Sequence, residues 1–359
     1  MSKNALLEKF KKIGFSKEQS VLEDSFIFKE GDEIQTDIPV VNIAFSGQVD
    51  GGFSSGVHII SGESKSFKSA LGLNCVAAYL KKYEDAICIF YDSEFGSPIE
   101  YFKANKVDLT RVLHVPITNI EELLFDITKK IEEIEKDDHV IILIDSLGNL
   151  ASKKEVTDAL EEKSAEDMTR AKKMKSLFRQ ITPKLVLKSV PLIGIQHVYK
   201  EIGMFPRYIV SGGTGSVYSA NTIFIVTKSQ EKDGTELAGW NFTINIEKSR
   251  KVREKSKLTF RVRYDDGIEK YSGLLELAIE LGFISTAKRG YYMLANPETG
   301  EIIDAKSYRK KEIDTPDFWN RMLENNDFKK AIEKRFKLTI GEPTEKEKEN
   351  EQETGTDNE

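Results

Sequence analysis

Between Val40 and about Tyr271, short apolar runs alternate with longer stretches whose apolar residues recur near every 3.6 positions, which argues for a mostly parallel sheet covered by helices on both faces. The runs that read as strands are Val57–Ser61, Ala86–Tyr91, Val112–Val115, Val140–Asp145, Leu192–Gln196, Thr222–Val226, Asn241–Glu247 and Leu258–Tyr264. Ile120–Glu135 reads as a helix from Leu123, Leu124, Ile127, Ile131 and Ile134. The last two strands flank a basic turn and are expected to run antiparallel. After Gly273 the rhythm changes. A helix at Leu274–Leu281, a β-piece at Tyr291–Leu294 and a helix from Pro316 to about Phe336 predict a small α+β subdomain.

Residues 1 to about 22 read as helical, with Ser16 and Gln19 spaced as a capping box. Ser25-Phe26-Ile27-Phe28 is β-prone but isolated, and a lone strand must join a sheet of its own chain or the edge of a neighbour. The expected organisation is an extension at 1–35, a core at 36–272, a subdomain at 273–340 and a tail at 341–359.

Charge changes that picture only at the end of the chain. The formal charge of -6 over 359 residues is carried by the segment Gly341–Glu359, which holds eight acids and two lysines and leaves 51 basic and 51 acidic residues in the body. Nucleic-acid affinity must therefore come from local clusters. Almost devoid of apolar residues, the tail is expected to be disordered. It is either a solubilising end or an acidic competitor for a basic surface. No run approaches the ~18 apolar residues of a membrane span, and the start MSKNALLEKFKK lacks an export signal. A cytoplasmic protein is expected, with Cys75 and Cys88 as buried, reduced thiols. The four histidines show no metal-ligand spacing.

The strongest chemical signal is the stretch VHIISGESKSFKSALGL from Val57 to Leu73. An apolar run, a turn beginning at Gly62 and a helical pattern opening at Lys68-Ser69 form a phosphate cradle. The backbone N–H groups of Glu63, Ser64, Lys65, Ser66, Phe67, Lys68 and Ser69 would converge on an anion at a helix N-terminus. Lys68 would reach the β- and γ-phosphates of ATP, and Ser69 would ligate Mg²⁺. Phe67 stands where the usual pattern has glycine; a left-handed Phe would cost about 1–2 kcal/mol, so right-handed geometry is expected there. A small-residue turn with a chance Lys-Ser is the competing reading.

Two strand ends support the cradle. Val140–Ile144 ends in Asp145, placed to hold Mg²⁺ opposite Ser69, although a strand-end Asp can equally be a helix cap. Ile89–Tyr91 runs into Asp92-Ser93-Glu94, where Glu94 is the candidate for orienting and deprotonating the attacking water and Asp92 would cap or position it.

In this order, Gly62-x5-Lys68-Ser69, Asp92-Ser93-Glu94 and Asp145-Ser146-Leu147 resemble the RecA family of DNA strand-exchange ATPases, and within it most closely the UvsX recombinases of T-even-type phages. The resemblance extends over most of the chain. It implies a RecA-like P-loop ATPase core that forms helical filaments on single-stranded DNA and exchanges it with a homologous duplex, using ATP and Mg²⁺. It also implies that Tyr101 stacks on adenine, that His197, following Gln196, senses the terminal phosphate, and that Lys248 and Arg250 reach ATP bound by a neighbouring subunit.

Two segments are the implied DNA loops. The first, Ala151–Met168, leads into Arg170, Lys172 and Lys173; the second, Val198–Thr214, contains Lys200, Ile202, Arg207, Gly212, Gly213 and Thr214. Met168 and Ile202 fall where base-wedging side chains are expected, and Lys173 where a phosphate-binding Arg is expected. Gly212-Gly213 permits close approach of a phosphate. Glu155, Asp158, Glu161, Glu162, Glu166 and Asp167 keep the first loop from being a simple basic patch. A single-strand-binding protein and a mediator are further expected partners. A hexameric helicase motor and a non-catalytic filament protein remain as alternatives.

Overall fold

The computed structural model describes residues 3–14, 19–25, 32–161, 169–201, 208–211, 214–233, 236–264, 267–288, 290–304 and 306–338. In chain order the elements begin with α1 (Lys3–Lys11), α2 (Pro39–Ser46), β1 (Gly56–Gly62), α3 (Lys68–Lys82), β2 (Ile87–Asp92), α4 (Ile99–Ala104) and β3 (Val112–Pro116). Next come α5 (Ile120–Glu133), β4 (Val140–Asp145), α6 (Lys153–Leu160), α7 (Thr169–Leu187), β5 (Pro191–Lys200), β6 (Tyr208–Val210) and α8 (Thr214–Ser219). The antiparallel part follows with β7 (Thr222–Asp233), β8 (Glu236–Ser249), β9 (Lys257–Arg263) and β10 (Gly267–Ile268). The chain closes with α9 (Leu274–Glu280), β11 (Ile284–Lys288), β12 (Tyr291–Leu294), β13 (Tyr308–Arg309), α10 (Lys310–Ile313), α11 (Pro316–Glu324) and α12 (Asn326–Phe336).

Among the described residues the main sheet runs β10-β9-β8-β7-β1-β5-β4-β2-β3. From β7 to β3 every neighbouring pair is parallel, whereas β7, β8, β9 and β10 pair antiparallel. The α/β reading thus holds, with four strands pairing antiparallel where the sequence led to an expectation of two. β1 and β4 are buried along their whole length, because helices cover both faces. One apolar layer packs α5 and α7 on one face through Ile127, Ile131, Leu177 and Phe178. The opposite layer joins α2 and α3 to the C-terminal helices, so that Phe45, Phe224, Phe318, Trp319 and Phe328 share one cluster.

Three expectations differ from what is observed. The helix expected from Pro316 to about Phe336 is two helices, because the Asn325 side chain accepts from the N–H groups of Asp327 and Phe328 and so starts α12 afresh. Within the first candidate DNA loop lies α6, opened by a capping box in which Ser152 accepts from the Glu155 N–H while the Glu155 carboxylate accepts from that of Ser152. At the N-terminus α1 ends at Lys11 and the described residues 19–21 are not helical, so the second helical part expected up to about residue 22 is represented only by a 3-10 turn at Leu22–Asp24. Ser16, the Phe26–Phe28 strand candidate and the tail 341–359 lie outside the described residues. Cys75 and Cys88 are buried and unpaired, and burial pushes both thiols up. Among the described residues no helix is long and apolar enough to cross a membrane.

Candidate nucleotide and DNA site

The cradle sits between the end of β1 and the start of α3. Lys65 has φ 59° and Phe67 φ 67°, so two left-handed residues interrupt the turn, a geometry that gathers successive N–H groups into an anion-binding concavity. Phe67 therefore departs from the right-handed expectation. Its ring stacks on Phe242 at 4.9 Å and meets Phe260 at 6.0 Å. Aromatic contacts of this kind contribute about 0.5–1.5 kcal/mol beyond area burial, the same order as the left-handed penalty.

Lys68 is only 6% exposed, and its Nζ donates to the Glu63 carbonyl at 2.7 Å, spanning the turn. Burial pulls its pKa down, while Glu94 and Asp145 pull it back up. Asp145, 4% exposed, is the last residue of β4, which β5 separates from β1. Burial pushes its pKa up to about 6; the nearby Ser69 hydroxyl opposes the shift, and the charges of Glu94 and Asp92 add to it. Its Oδ1 is buried without a hydrogen-bond partner, as is the Ser66 hydroxyl. A buried carboxylate with an unpartnered oxygen beside a helix-start hydroxyl is a donor set that suits Mg²⁺, a hard cation taking oxygen ligands.

Glu94 follows β2, whose last residue, Asp92, pairs in register with Asp145. Asp92 caps the turn as expected: its Oδ1 accepts from the N–H groups of Glu94 at 3.1 Å and Phe95 at 2.8 Å. The Glu94 carboxylate meets His197 Nε2 at 2.6 Å, and His197 in turn pairs with Gly62 across β1 and β5. Cradle, Asp145, Glu94 and His197 thus occupy one edge of the sheet, beyond the carboxyl ends of the parallel strands, where open α/β sheets bind ligands. Tyr101 lies half-buried on α4. Burial raises its phenol pKa, with a further push from Asp145, and its hydroxyl is near the backbone of Ala70 on α3.

Lys248 and Arg250 lie elsewhere. Lys248 on β8 pairs with Ile223 of β7, which pairs with Ile59 of β1. That places Lys248 about 10 Å down the strand direction from Gly62, with Arg250 farther from the cradle. Lys248 Nζ donates to the carbonyls of Val217 at 2.7 Å and Tyr218 at 3.1 Å, and Arg250 is exposed.

Both candidate DNA segments leave the cradle edge, after β4 and β5. The second is framed by the antiparallel pair β5–β6, and Lys200 on β5 approaches the Glu63 carboxylate at 3.4 Å. Arg170 turns inward, donating to the carbonyls of Leu150 at 2.7 Å and Gly148 at 2.5 Å, so it braces the start of the first segment. Lys173 lies 3.8 Å from Glu121, Lys172 is exposed, and Thr214 opens α8. Met168, Ile202, Arg207, Gly212 and Gly213 lie outside the described residues.

Three contacts escaped the sequence reading. Ser93 Oγ donates to the Ser146 carbonyl and accepts from its N–H, tying the ends of β2 and β4. Buried Gln196 donates to the Ser211 carbonyl at 2.8 Å, tying β5 to the second segment. His114 on β3 reaches Asp92. The signal that could have flagged Gln196 is its place as the first polar residue after the apolar run Leu192–Ile195, where a buried amide needs a partner.

Known proteins resemble the chain over most of its length. The RecA N-terminal domain matches residues 21–269, and the C-terminal domain of the bacteriophage T4 recombination and repair protein matches residues 271–332. The chain is 47% identical over 330 residues to the recombination and repair protein of Enterobacteria phage T4, covering 91% of this chain and 84% of that one. It is 25% identical over 307 residues to Protein RecA of Chloroherpeton thalassium, covering 82% and 83%. Protein RecA of Streptomyces coelicolor is 25% identical over 286 residues, covering 79% and 71%.

Proposed function

The chain belongs to the RecA family, and from that premise we propose that it is an ATP-dependent homologous recombinase that assembles as a helical filament on single-stranded DNA and pairs it with a homologous duplex. The observation that carries this reading is the shared sheet edge. A phosphate cradle, a buried strand-end aspartate and a Glu94–His197 pair lie there, and both candidate DNA segments leave from it.

Triphosphate would enter the concavity of Glu63–Ser69 with Lys68 on its β- and γ-phosphates and adenine against Tyr101. Ser69 and Asp145 would hold Mg²⁺, which when bound neutralises charge on the phosphates. Glu94 would take the proton of the attacking water, and His197, at hydrogen-bond distance from it, would register the terminal phosphate. Lys248 and Arg250 lie too far down the sheet for their own cradle, which supports their service to ATP on a neighbouring copy. A cation supplied across an interface in this way can accelerate phosphoryl transfer by about 10³–10⁵-fold.

DNA contacts would come from Lys172, Lys173, Lys200 and Arg207, from backbone at Gly212, Gly213 and Thr214, and from Met168 and Ile202 between bases. Arg170 would act by holding the base of the first segment. Because pairing between strands reads the sequence, protein binding should be sequence-tolerant and salt-sensitive. The working compartment would be the host cytoplasm, with a single-strand-binding protein and a mediator as partners.

Hydrolysis measured with and without single-stranded DNA, alongside electron micrographs of the same samples, tests the proposal. Stimulated turnover on open filaments, abolished by Lys68→Ala, is the expected result. Turnover indifferent to DNA, or intact in Lys68→Ala, would overturn it, and closed rings that unwind duplex would mark a helicase instead.

A further inference from the structure

We infer that His114 is a positioning residue for Glu94 and acts through Asp92. The inference rests on the reading of Glu94 as the water-activating carboxylate.

Glu94 is not on a regular element. It lies in the turn between β2 and α4, where Phe95 adopts a left-handed φ of 54°. Within that turn Asp92 Oδ1 takes the N–H groups of Glu94 and Phe95 together, while Ser93 ties the end of β2 to Asp145 and Ser146 and the Glu94 carboxylate meets His197. Those two N–H groups hold Oδ1, and the second oxygen carries a further polar contact that braces the same carboxylate. Asp92 Oδ2 lies 3.2 Å from His114 Nε2. Against an ionised carboxylate that contact requires the imidazole to donate, and a neutral ring with its proton on Nε2 is sufficient.

The ring itself is aligned. His114 pairs in register with Phe90, and the two rings stack at 5.4 Å with an interplanar angle of 23°. Phe90 is buried and also meets the ring of Phe102 on α4 at 5.2 Å, at an interplanar angle of 64°. A chain of contacts therefore runs from the core to the imidazole, to a carboxylate only 5% exposed, to the backbone of the residue bearing the catalytic oxygen. His114 itself is about half exposed, with 51% of its side chain accessible, on the last strand of the described sheet. Little core packing would be lost with the imidazole, and its recorded polar partner is Asp92.

Small displacements at the reacting centre are costly: a misplacement of about 1 Å can cost about 100-fold in rate. His114 stands two contacts away, and removing its donor should loosen the turn rather than dismantle it. The effect belongs in turnover, since no part of the chain from His114 to Glu94 forms the cradle.

The experiment compares ATP hydrolysis at saturating single-stranded DNA for the full chain and for Glu94→Gln, His114→Leu and His114→Gln, together with their thermal midpoints. Glu94→Gln should abolish turnover. His114→Leu should lower kcat about tenfold and leave KM for ATP within about twofold, with an unchanged melting temperature. His114→Gln, whose amide can donate at a similar reach, should recover most of the loss. If Glu94→Gln is inactive while His114→Leu keeps wild-type kcat, this inference fails and the Glu94 reading stands. If Glu94→Gln turns over normally, the Glu94 reading fails. A fall in His114→Gln equal to that in His114→Leu, or a KM that rises in step with the loss of kcat, overturns the positioning role.

Discussion

Replacing Asp145 with Asn should make the metal-free, nucleotide-free protein more stable at neutral pH while removing its hydrolysis. The carboxyl is buried with Oδ1 unpartnered, and burial, reinforced by Glu94 and Asp92, raises its pKa from the ordinary 3.8 to about 6. Between those values the native state holds a proton that the unfolded chain has already released, so stability falls as pH rises through the window. Below about pH 3.8 both states are protonated and the difference vanishes. Above the folded value the loss is complete, and at about 1.4 kcal/mol per pH unit it amounts to roughly 3 kcal/mol.

Asn keeps the shape and an acceptor for Ser69 but carries no charge, so this penalty disappears. Urea unfolding in the presence of a chelator, at several values between pH 4.5 and 8, measures the effect. The Asn variant should lead by roughly 2–3 kcal/mol at pH 7.5, and its lead should shrink toward pH 4.5. Added Mg²⁺ and ATP should narrow or reverse the order, because ligands stabilise only the form that binds them. Equal stability at pH 7.5, or a lead that grows as pH falls, would refute the argument.

His58 on β1 carries the opposite sign. Burial lowers its pKa from 6.5 to about 4, so the unfolded chain binds the extra proton and stability is lost as pH falls from 6.5 toward 4, by roughly 3 kcal/mol. His58→Gln, which retains a donor for the Ser54 carbonyl, should flatten that part of the urea midpoint–pH curve; an unchanged slope would count against it. At Phe67, Ala would keep the left-handed penalty of about 1–2 kcal/mol that Gly avoids, against a glycine entropy cost of about 0.5–1 kcal/mol. Phe67→Gly should therefore unfold no more readily than Phe67→Ala, and a clear advantage for Ala would contradict the geometry. Lys248→Ala and Arg250→Ala should lose DNA-stimulated turnover yet bind fluorescent nucleotide normally, and parallel loss of both properties would argue against action across an interface.

Sequence periodicity located all eight strands named from it; seven carry buried apolar residues, whereas β3, at the end of the described sheet, carries none and shows its apolar run at Val112, Leu113 and Val115 all the same. It understated β7 and β8, which continue beyond the core as a polar hairpin through Lys228-Ser229-Gln230-Glu231, held by cross-strand hydrogen bonds that leave no apolar signature. The break at Asn325 and the helix at Lys153–Leu160 come from side-chain caps, which are local and in principle readable, but the first lay within an amphipathic run and the second within a charged segment. The cradle, Asp145 and Glu94 were legible because strand-end chemistry has a fixed spacing from the apolar run before it. Neither the left-handed Phe67 nor the His114–Asp92 contact has such a spacing. The first depends on rings at Phe242 and Phe260 far along the chain, and the second on the pairing of β2 with β3.

The electrostatics of the candidate site fit the proposal that a second copy completes it. Asp145 feels the charges of Glu94 and Asp92 as well as Lys68, while Lys68 is flanked on the cationic side by Lys228. Three carboxylates thus face two lysines before any nucleotide arrives, and a triphosphate adds several further negative charges. Low solvent exposure makes that imbalance expensive, as the raised pKa of Asp145 already records. A metal ion at Ser69 and Asp145 would offset part of it. The rest calls for cations, and Lys248 and Arg250 of the same chain lie at the wrong end of the sheet to supply them. A second copy, presenting its own β8 end toward this cradle, would bring both at once, so hydrolysis would be fast only where one subunit adjoins another.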